Sequence, residues 1–205
     1  MIRLKLILSN KIIGIGLIKL RIIGGANKGQ NIITPENGKI RPTSNRVREA
    51  IFNILDARLD FGFSGLTVID LFSGSGAFAF EALSRGAAQA ISVDKDQSSI
   101  DLLRSNMTIL NADKILTILK CDALNLPKPP AGLNQASIAF IDPPYHLSLV
   151  EPALSSLVLN QWLLGGALCV IEASIKDKVG WPINFCKLDS KQYGKTKIYL
   201  LQFEE

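Results

Sequence analysis

Asp142-Pro143-Pro144-Tyr145 is the densest chemistry in the chain. An exocyclic amine on a nucleobase is a poor nucleophile, because its lone pair is delocalised into the ring. The Asp142 carboxylate and the Pro143 carbonyl can accept its two N–H bonds. That holds the nitrogen still and favours the positive charge developing on it. Pro143 and Pro144 stiffen the loop before a substrate arrives. Tyr145 offers a face on which a base swung out of its stack can lie. Aligning nitrogen, methyl carbon and sulfur is worth about 7–11 kcal/mol. The arrangement needs neither a metal nor a histidine. The competing reading is a rigid turn after a buried strand.

A second string, Asp70-Leu71-Phe72-Ser73-Gly74-Ser75-Gly76-Ala77-Phe78, sits at a strand-to-helix turn. Gly74 and Gly76 let backbone approach a ligand closely, and Asp94 follows at the end of the next strand. A carboxylate there can accept both ribose hydroxyls of an adenosine ligand. The glycine pattern also fits a dinucleotide fingerprint. Asp70, however, would repel a pyrophosphate and attract a cationic amine or sulfonium. S-adenosylmethionine carries both. Asp122, after the third strand of the series, can accept from an adenine amine. An NAD-dependent oxidoreductase would leave Asp142-Pro143-Pro144-Tyr145 without a use and would have only His146 as its acid.

The elements that must position these residues are legible as alternating runs. Residues 67–72, 90–94, 115–120, 137–142 and 166–172 read as strands. Residues 77–85, 96–110 and 147–159 read as helices. The strands are continuously apolar rather than alternating, which predicts a parallel sheet covered on both faces. Stretches 183–188 and 197–203 are expected to close the sheet. Upstream, Gly24-Gly25, Asn27-Lys28-Gly29 and Asn37-Gly38 punctuate a small β-rich unit. Residues 42–59 read as a helix with Val47, Ala50, Ile51, Ile54 and Leu55 at helical spacing. The expected division is a basic hairpin extension over 1–40 and an α/β domain over 41–205.

Composition narrows the class. The chain has 205 residues, 47% apolar and 20% charged, an ordinary globular balance. One histidine cannot build a multi-histidine metal site. Cys121, Cys169 and Cys186 are too scattered for a disulfide framework, read as core, and suggest a reducing, cytoplasmic setting. Ten Lys/Arg against two acids give residues 1–50 a charge of +8, while thirteen bases and sixteen acids leave the rest at −3. A basic end on a mildly acidic body suits a polyanion. The apolar opening is interrupted by Arg3, Lys5, Lys11, Lys19 and Arg21, short of the ~18 apolar residues a membrane span needs.

With these pieces placed, the chain resembles the bacterial RsmD-like methyltransferases, which act on guanine N2 in 16S ribosomal RNA. Four segments carry the resemblance: Arg21-Ile22-Ile23-Gly24-Gly25 with Lys28-Gly29; the run from Arg41 to Leu55; Asp70 to Phe78 with Glu81-Ala82-Leu83-Ser84-Arg85-Gly86-Ala87; and Asp142 to Tyr145. The resemblance implies a Rossmann-like class I S-adenosylmethionine-dependent fold, with a mostly parallel seven-stranded sheet. It implies that Asp70, Phe72, Ser73, Gly74, Ser75 and Gly76 hold the methionine part of the cofactor. Asp94 would hold the ribose, Asp122 with Ala123 the adenine, and Lys95 would also bind the cofactor. Asp142, Pro143, Pro144 and Tyr145 would hold the base, and Arg21, Lys28, Arg41, Arg46 and Arg48 would contact phosphates. The expected partner is 16S RNA in the small subunit or an assembly intermediate, met by a monomer, with no metal and no membrane. About twenty residues precede Arg21, more than the family usually has. The alternative within enzymes is a DNA adenine-N6 methyltransferase, which shares Asp-Pro-Pro-Tyr but usually carries a sizeable target-recognition region.

Overall fold

The structure, a computed structural model, describes residues 17–35, 45–144 and 148–205. Arg41, Tyr145 and His146 lie outside the described residues, as do Arg3, Lys5 and Lys11. A small antiparallel pair, β1 (Leu17–Arg21) and β2 (Asn31–Pro35), comes first, followed by α1 (Asn45–Asp56). Then come β3 (Thr67–Leu71), α2 (Ala77–Ser84), β4 (Gln89–Asp94), α3 (Gln97–Ile109) and β5 (Leu116–Lys120). The chain continues through β6 (Ala136–Ile141), α4 (Val150–Leu159), β7 (Leu163–Ser174), β8 (Phe185–Tyr193) and β9 (Thr196–Phe203).

Seven strands form one sheet in the order β5-β4-β3-β6-β7-β9-β8. The first five are parallel, and β9 runs antiparallel between β7 and β8. β3 is buried at every residue, as a central strand with both faces covered must be. The chain leaves β3 toward β4 on one side and reaches β6 on the other. That reversal opens a crevice at the carboxyl ends of β3 and β6, where ligands bind in such sheets.

One face of the sheet packs α1, α2 and α3. Phe52 of α1, Phe78 of α2 and Phe140 of β6 meet there, with Phe78 and Phe140 stacked at 4.9 Å between centroids. The other face packs Ala153, Leu154 and Leu157 of α4 beside Trp162. The Trp162 indole N–H donates to the Pro127 carbonyl at 2.7 Å, so a large ring is fully buried without an orphaned donor.

The hairpin is part of this body. Leu20, Ile22 and Ile32 join the hydrophobic cluster of α1, α2 and α3. Polar groups then lock its turn in place. Glu81 of α2, fully buried, accepts the backbone N–H groups of Ile23 and Gly24, both at 2.8 Å. The same carboxylate takes the Arg85 guanidinium at 3.0 Å, and Arg85 reaches Asp56 of α1 at 2.7 Å. The Ser84 hydroxyl accepts from Asn27 N–H and donates to Gly24 O. Gly25 has φ +76°, and a Cβ on it would sit 1.7 Å from the Ser84 carbonyl oxygen. Only glycine permits that approach.

Three expectations change. β7 begins at Leu163 rather than 166, because strand pairing continues past Gly165-Gly166 through a bulge opposite Ala136 and Ile138. β8 extends to Tyr193, well beyond 188: it is the sheet edge and largely exposed, so its polar residues mask the strand. Of the cysteines, Cys169 is in the core, but Cys186 is exposed on that same edge strand.

Candidate active site

Register along the sheet sets the site. Asp94 pairs with Lys120, Leu71 with Val93 and with Ile141, and Ile141 with Ile171. The carboxyl edge therefore delivers, in spatial order, Asp122 after β5, Asp94 ending β4, the Phe72–Gly76 turn after β3, and Asp142 after β6. These are the residues the sequence singles out, and the parallel pairing brings them onto one edge.

The turn after β3 is sharply folded. Phe72, Gly74 and Gly76 have φ of 61°, 53° and 81°. A bulky residue at positive φ is an outlier that surrounding structure must hold. Here Ser73 N–H donates to Val93 O at 3.0 Å and Gly76 N–H to Ser73 O at 2.7 Å. A Cβ on Gly76 would lie 2.7 Å from Leu103 of α3 and from Phe80 of α2, so the turn is seated hard on two helices. Asn106 of α3, also fully buried, ties it to the hairpin. Its side-chain amide donates to Ser75 O at 3.0 Å and to Ile33 O at 2.9 Å, and accepts Ile33 N–H at 2.7 Å.

Asp94 braces the turn. Its Oδ2 accepts Gly74 N–H and its Oδ1 accepts Asp96 N–H, both at 2.9 Å. Each carboxylate oxygen has a further lone pair, so capacity remains for a diol. Asp122 Oδ1 accepts Leu124 N–H at 3.0 Å, with Lys95 Nζ 4.0 Å from its Oδ2. Lys95 thus leans across to Asp122; Lys95 is exposed and Asp122 half-buried, and at 4.0 Å the pair contributes little to stability. Ala123 is buried beneath them.

Asp70 is 1% exposed. Burial pushes its carboxyl up to about 8, and the nearby Asp94 charge adds to this. The Ala79 N–H, 3.3 Å from Oδ2, and the Ser73 hydroxyl oppose the rise. A buried carboxyl in that state is stabilised as an anion by a cation placed beside it. An α-amino group and a sulfonium are such cations. The donor set therefore fits S-adenosylmethionine: a cation-seeking acid at β3, spare acceptors at β4, and an acid at β5.

Asp142 is half-buried, Pro143 buried and Pro144 exposed. Pro143 and Pro144 form one wall of a cleft of about 60 Å³ closed by Ser148, Leu149 and Val150 before and within α4, and by Glu172 and Lys178.

The expected phosphate contacts divide. Arg21, Lys28 and Arg46 are exposed, and Arg21 and Lys28 line a hollow of about 300 Å³ with Asn45 and Glu49. Arg48 is a correction. It is 1% exposed, donates to Arg21 O and to Asn45 Oδ1, and lies 3.8 Å from Glu81. It faces the core side of α1, the face of Val47 and Ile51, and cannot reach a phosphate. The segment Glu81 to Arg85 holds the hairpin. The sequence does carry a signal for it, since a glutamate inside Ala-Phe-Ala-Phe-Glu-Ala-Leu must be buried and therefore paired. Among the described residues, no cluster of three His, Cys, Asp or Glu is placed to hold a metal, and no helix is long and apolar enough to cross a membrane.

Comparison with known proteins places the chain in a family. A family model described as conserved hypothetical protein 95 matches residues 20–202. The chain is 31% identical over 192 residues to the ribosomal RNA small subunit methyltransferase D of Escherichia coli K12, covering 91% of each chain. It is 30% identical over 185 residues to the protein of the same name from Haemophilus influenzae, covering 90% of this chain and 94% of the relative. The solved structure of a putative methyltransferase, yhhF, from E. coli superposes with a TM-score of 0.76 at 31% identity, covering 91% of this chain and 98% of that one.

Proposed function

Because the chain belongs to the family that the conserved hypothetical protein 95 model describes, we propose that it methylates the exocyclic N2 amine of a guanine in 16S ribosomal RNA, using S-adenosylmethionine. One observation carries the chemistry: four adjacent strand ends present, in order, an acid for adenine, an acid for ribose, a glycine turn with a buried acid, and Asp142-Pro143. That order follows the cofactor from adenine through ribose to methionine, with its methyl end toward β6. The names of the relatives support ribosomal RNA as the substrate.

In this reading Asp122 and Ala123 hold the adenine, Asp94 the ribose, and Asp70 with the Phe72–Gly76 turn the methionine part. The cofactor supplies an electrophilic methyl group on a sulfonium. Asp142 and the Pro143 carbonyl accept the N–H bonds of the amine and hold its lone pair in line. The rigid β6 end and its two prolines fix that geometry in advance. Arg21, Lys28 and Arg46 contact phosphates from the hairpin side.

The test is transfer of radiolabelled methyl to 30S subunits from a strain lacking this enzyme, to naked 16S RNA and to duplex DNA, followed by nucleoside digestion. Label in N2-methylguanosine is expected. Label in N6-methyladenine from DNA would keep the mechanism and overturn the substrate. In the same assay Asp142→Ala should bind cofactor normally while losing about 10²–10³ in rate. A loss of cofactor affinity equal to the loss of rate would remove Asp142 from the proposed role.

A further inference from the structure

The cleft walled by Pro143 and Pro144, the residues that follow Asp142, is lined by the carboxylate of Glu172. The β6–β7 ladder pairs Ile141 with Ile171, so the residues that follow, Asp142 and Glu172, leave neighbouring positions on the edge. Glu172 is 6% exposed and lines the cleft together with Pro143 and Pro144. Lys178, exposed in the loop after β7, lines it too. Two further acids line the cleft, and one of them ties its loop. Asp177 Oδ2 accepts Ser174 N–H at 3.1 Å, and Glu151 Oε2 abuts Gly180, 2.9 Å from where a Cβ would be.

Glu172 and Lys178, together with Asp142 at the neighbouring strand end, suit one base edge. Guanine presents two neighbouring donors, the N2 amine and N1–H, and then the O6 acceptor. Adenine presents an amine donor beside the N1 lone pair. A carboxylate next along the edge from Asp142, with an ammonium lining the same cleft, can complement donor, donor, acceptor. A carboxylate in the second place meets the lone pair of adenine with repulsion.

We propose that Glu172 selects guanine by accepting N1–H of the base whose amine Asp142 holds, with Lys178 donating to O6. This rests on the function proposed above, and it extends that reading from an amine to a whole base edge. A site built to pair a polar edge rejects bases lacking that edge far more strongly than a merely apolar pocket does.

The experiment uses 30S subunits reconstituted with either guanine or 2-aminopurine at the nucleotide that the wild-type chain methylates. 2-Aminopurine keeps the reacting amine but has a lone pair at N1 and no O6. Wild type should strongly prefer guanine. Glu172→Gln should lower kcat/KM on guanine by roughly 10- to 100-fold, leave 2-aminopurine within about threefold, and so collapse the preference. Its melting temperature and cofactor affinity should match wild type. Lys178→Met, an exposed substitution, should reduce the preference independently and answers the question even if Glu172→Gln does not fold. Equal losses on both bases, or an undiminished preference for guanine, would overturn the assignment. Wild type making no N2-methylguanine would instead sink the underlying reading along with it.

Discussion

Asp70 shows how burial and charge divide the work at a single residue. Its carboxyl is fully buried and raised to about 8. A folded-state value above the unfolded one stabilises the fold fully below about 4, and that stabilisation is lost as pH rises through about 8. Wild type without cofactor should therefore lose melting temperature between pH 6 and pH 9. Asp70→Asn keeps an acceptor for the Ala79 N–H but carries no charge to desolvate. Its melting temperature should be flatter over that interval and exceed wild type at pH 9, while its cofactor affinity falls at every pH. Parallel melting curves of the two proteins from pH 6 to 9 would remove burial of the charge as the cause. The neighbouring Asp94 plays a different part, because both of its oxygens brace backbone before any ligand arrives.

At the scale of elements, the hairpin and the cofactor turn hang on two helices through buried polar residues. Glu81 of α2 serves the backbone of Ile23 and Gly24 while neutralising Arg85 and lying against Arg48. Asn106 of α3 grips both Ile33 and Ser75. Such residues are costly to strand, because a partner left behind in the core has no water to turn to. Glu81→Ala leaves two N–H groups and a buried guanidinium unmatched. It should cost about 3–5 kcal/mol in urea denaturation, a large share of the stability of a domain this size. A loss under about 1 kcal/mol would show that water replaces the carboxylate without strain.

At the scale of the whole molecule, Lys19, Arg21 and Lys28, part of the positive excess of residues 1–50, sit on a hairpin that buried clamps hold against the body. A hairpin fixed this way can present Arg21 and Lys28 beside Arg46 as a rigid surface, so little ordering entropy is lost on docking. Replacing all three by Gln should weaken RNA binding and reduce the slope of log affinity against log salt by roughly 2–3, about 0.7–0.9 for each lost phosphate contact. Binding titrations across a salt series measure this directly. An unchanged slope would mean that the basic face points away from the RNA. Arg48 is left out of that set, because its loss would act on folding.

Much of the architecture is written in local pattern. Short apolar runs such as Thr67–Leu71 and Ala136–Ile141, rich in β-branched residues or too short for a helix, read as buried strands, and the glycines between strand and helix mark the turn. A period and a turn signal depend on near neighbours, so they survive without a fold. The exposed edge strand β8 does not, since half its residues face water and carry no apolar mark. The acids at 70, 94, 122 and 142 stand out by type, but their shared edge follows from parallel register, a long-range property of the sheet. Direction is harder still to read along the chain. Arg46 and Arg48 differ by two positions in one basic run, yet a helix turns by about 200° between them. One is left in solvent and the other is driven against Glu81. Asn106 is invisible in the sequence for the same reason: it acquires its role from partners dozens of residues away, and only packing brings them within reach.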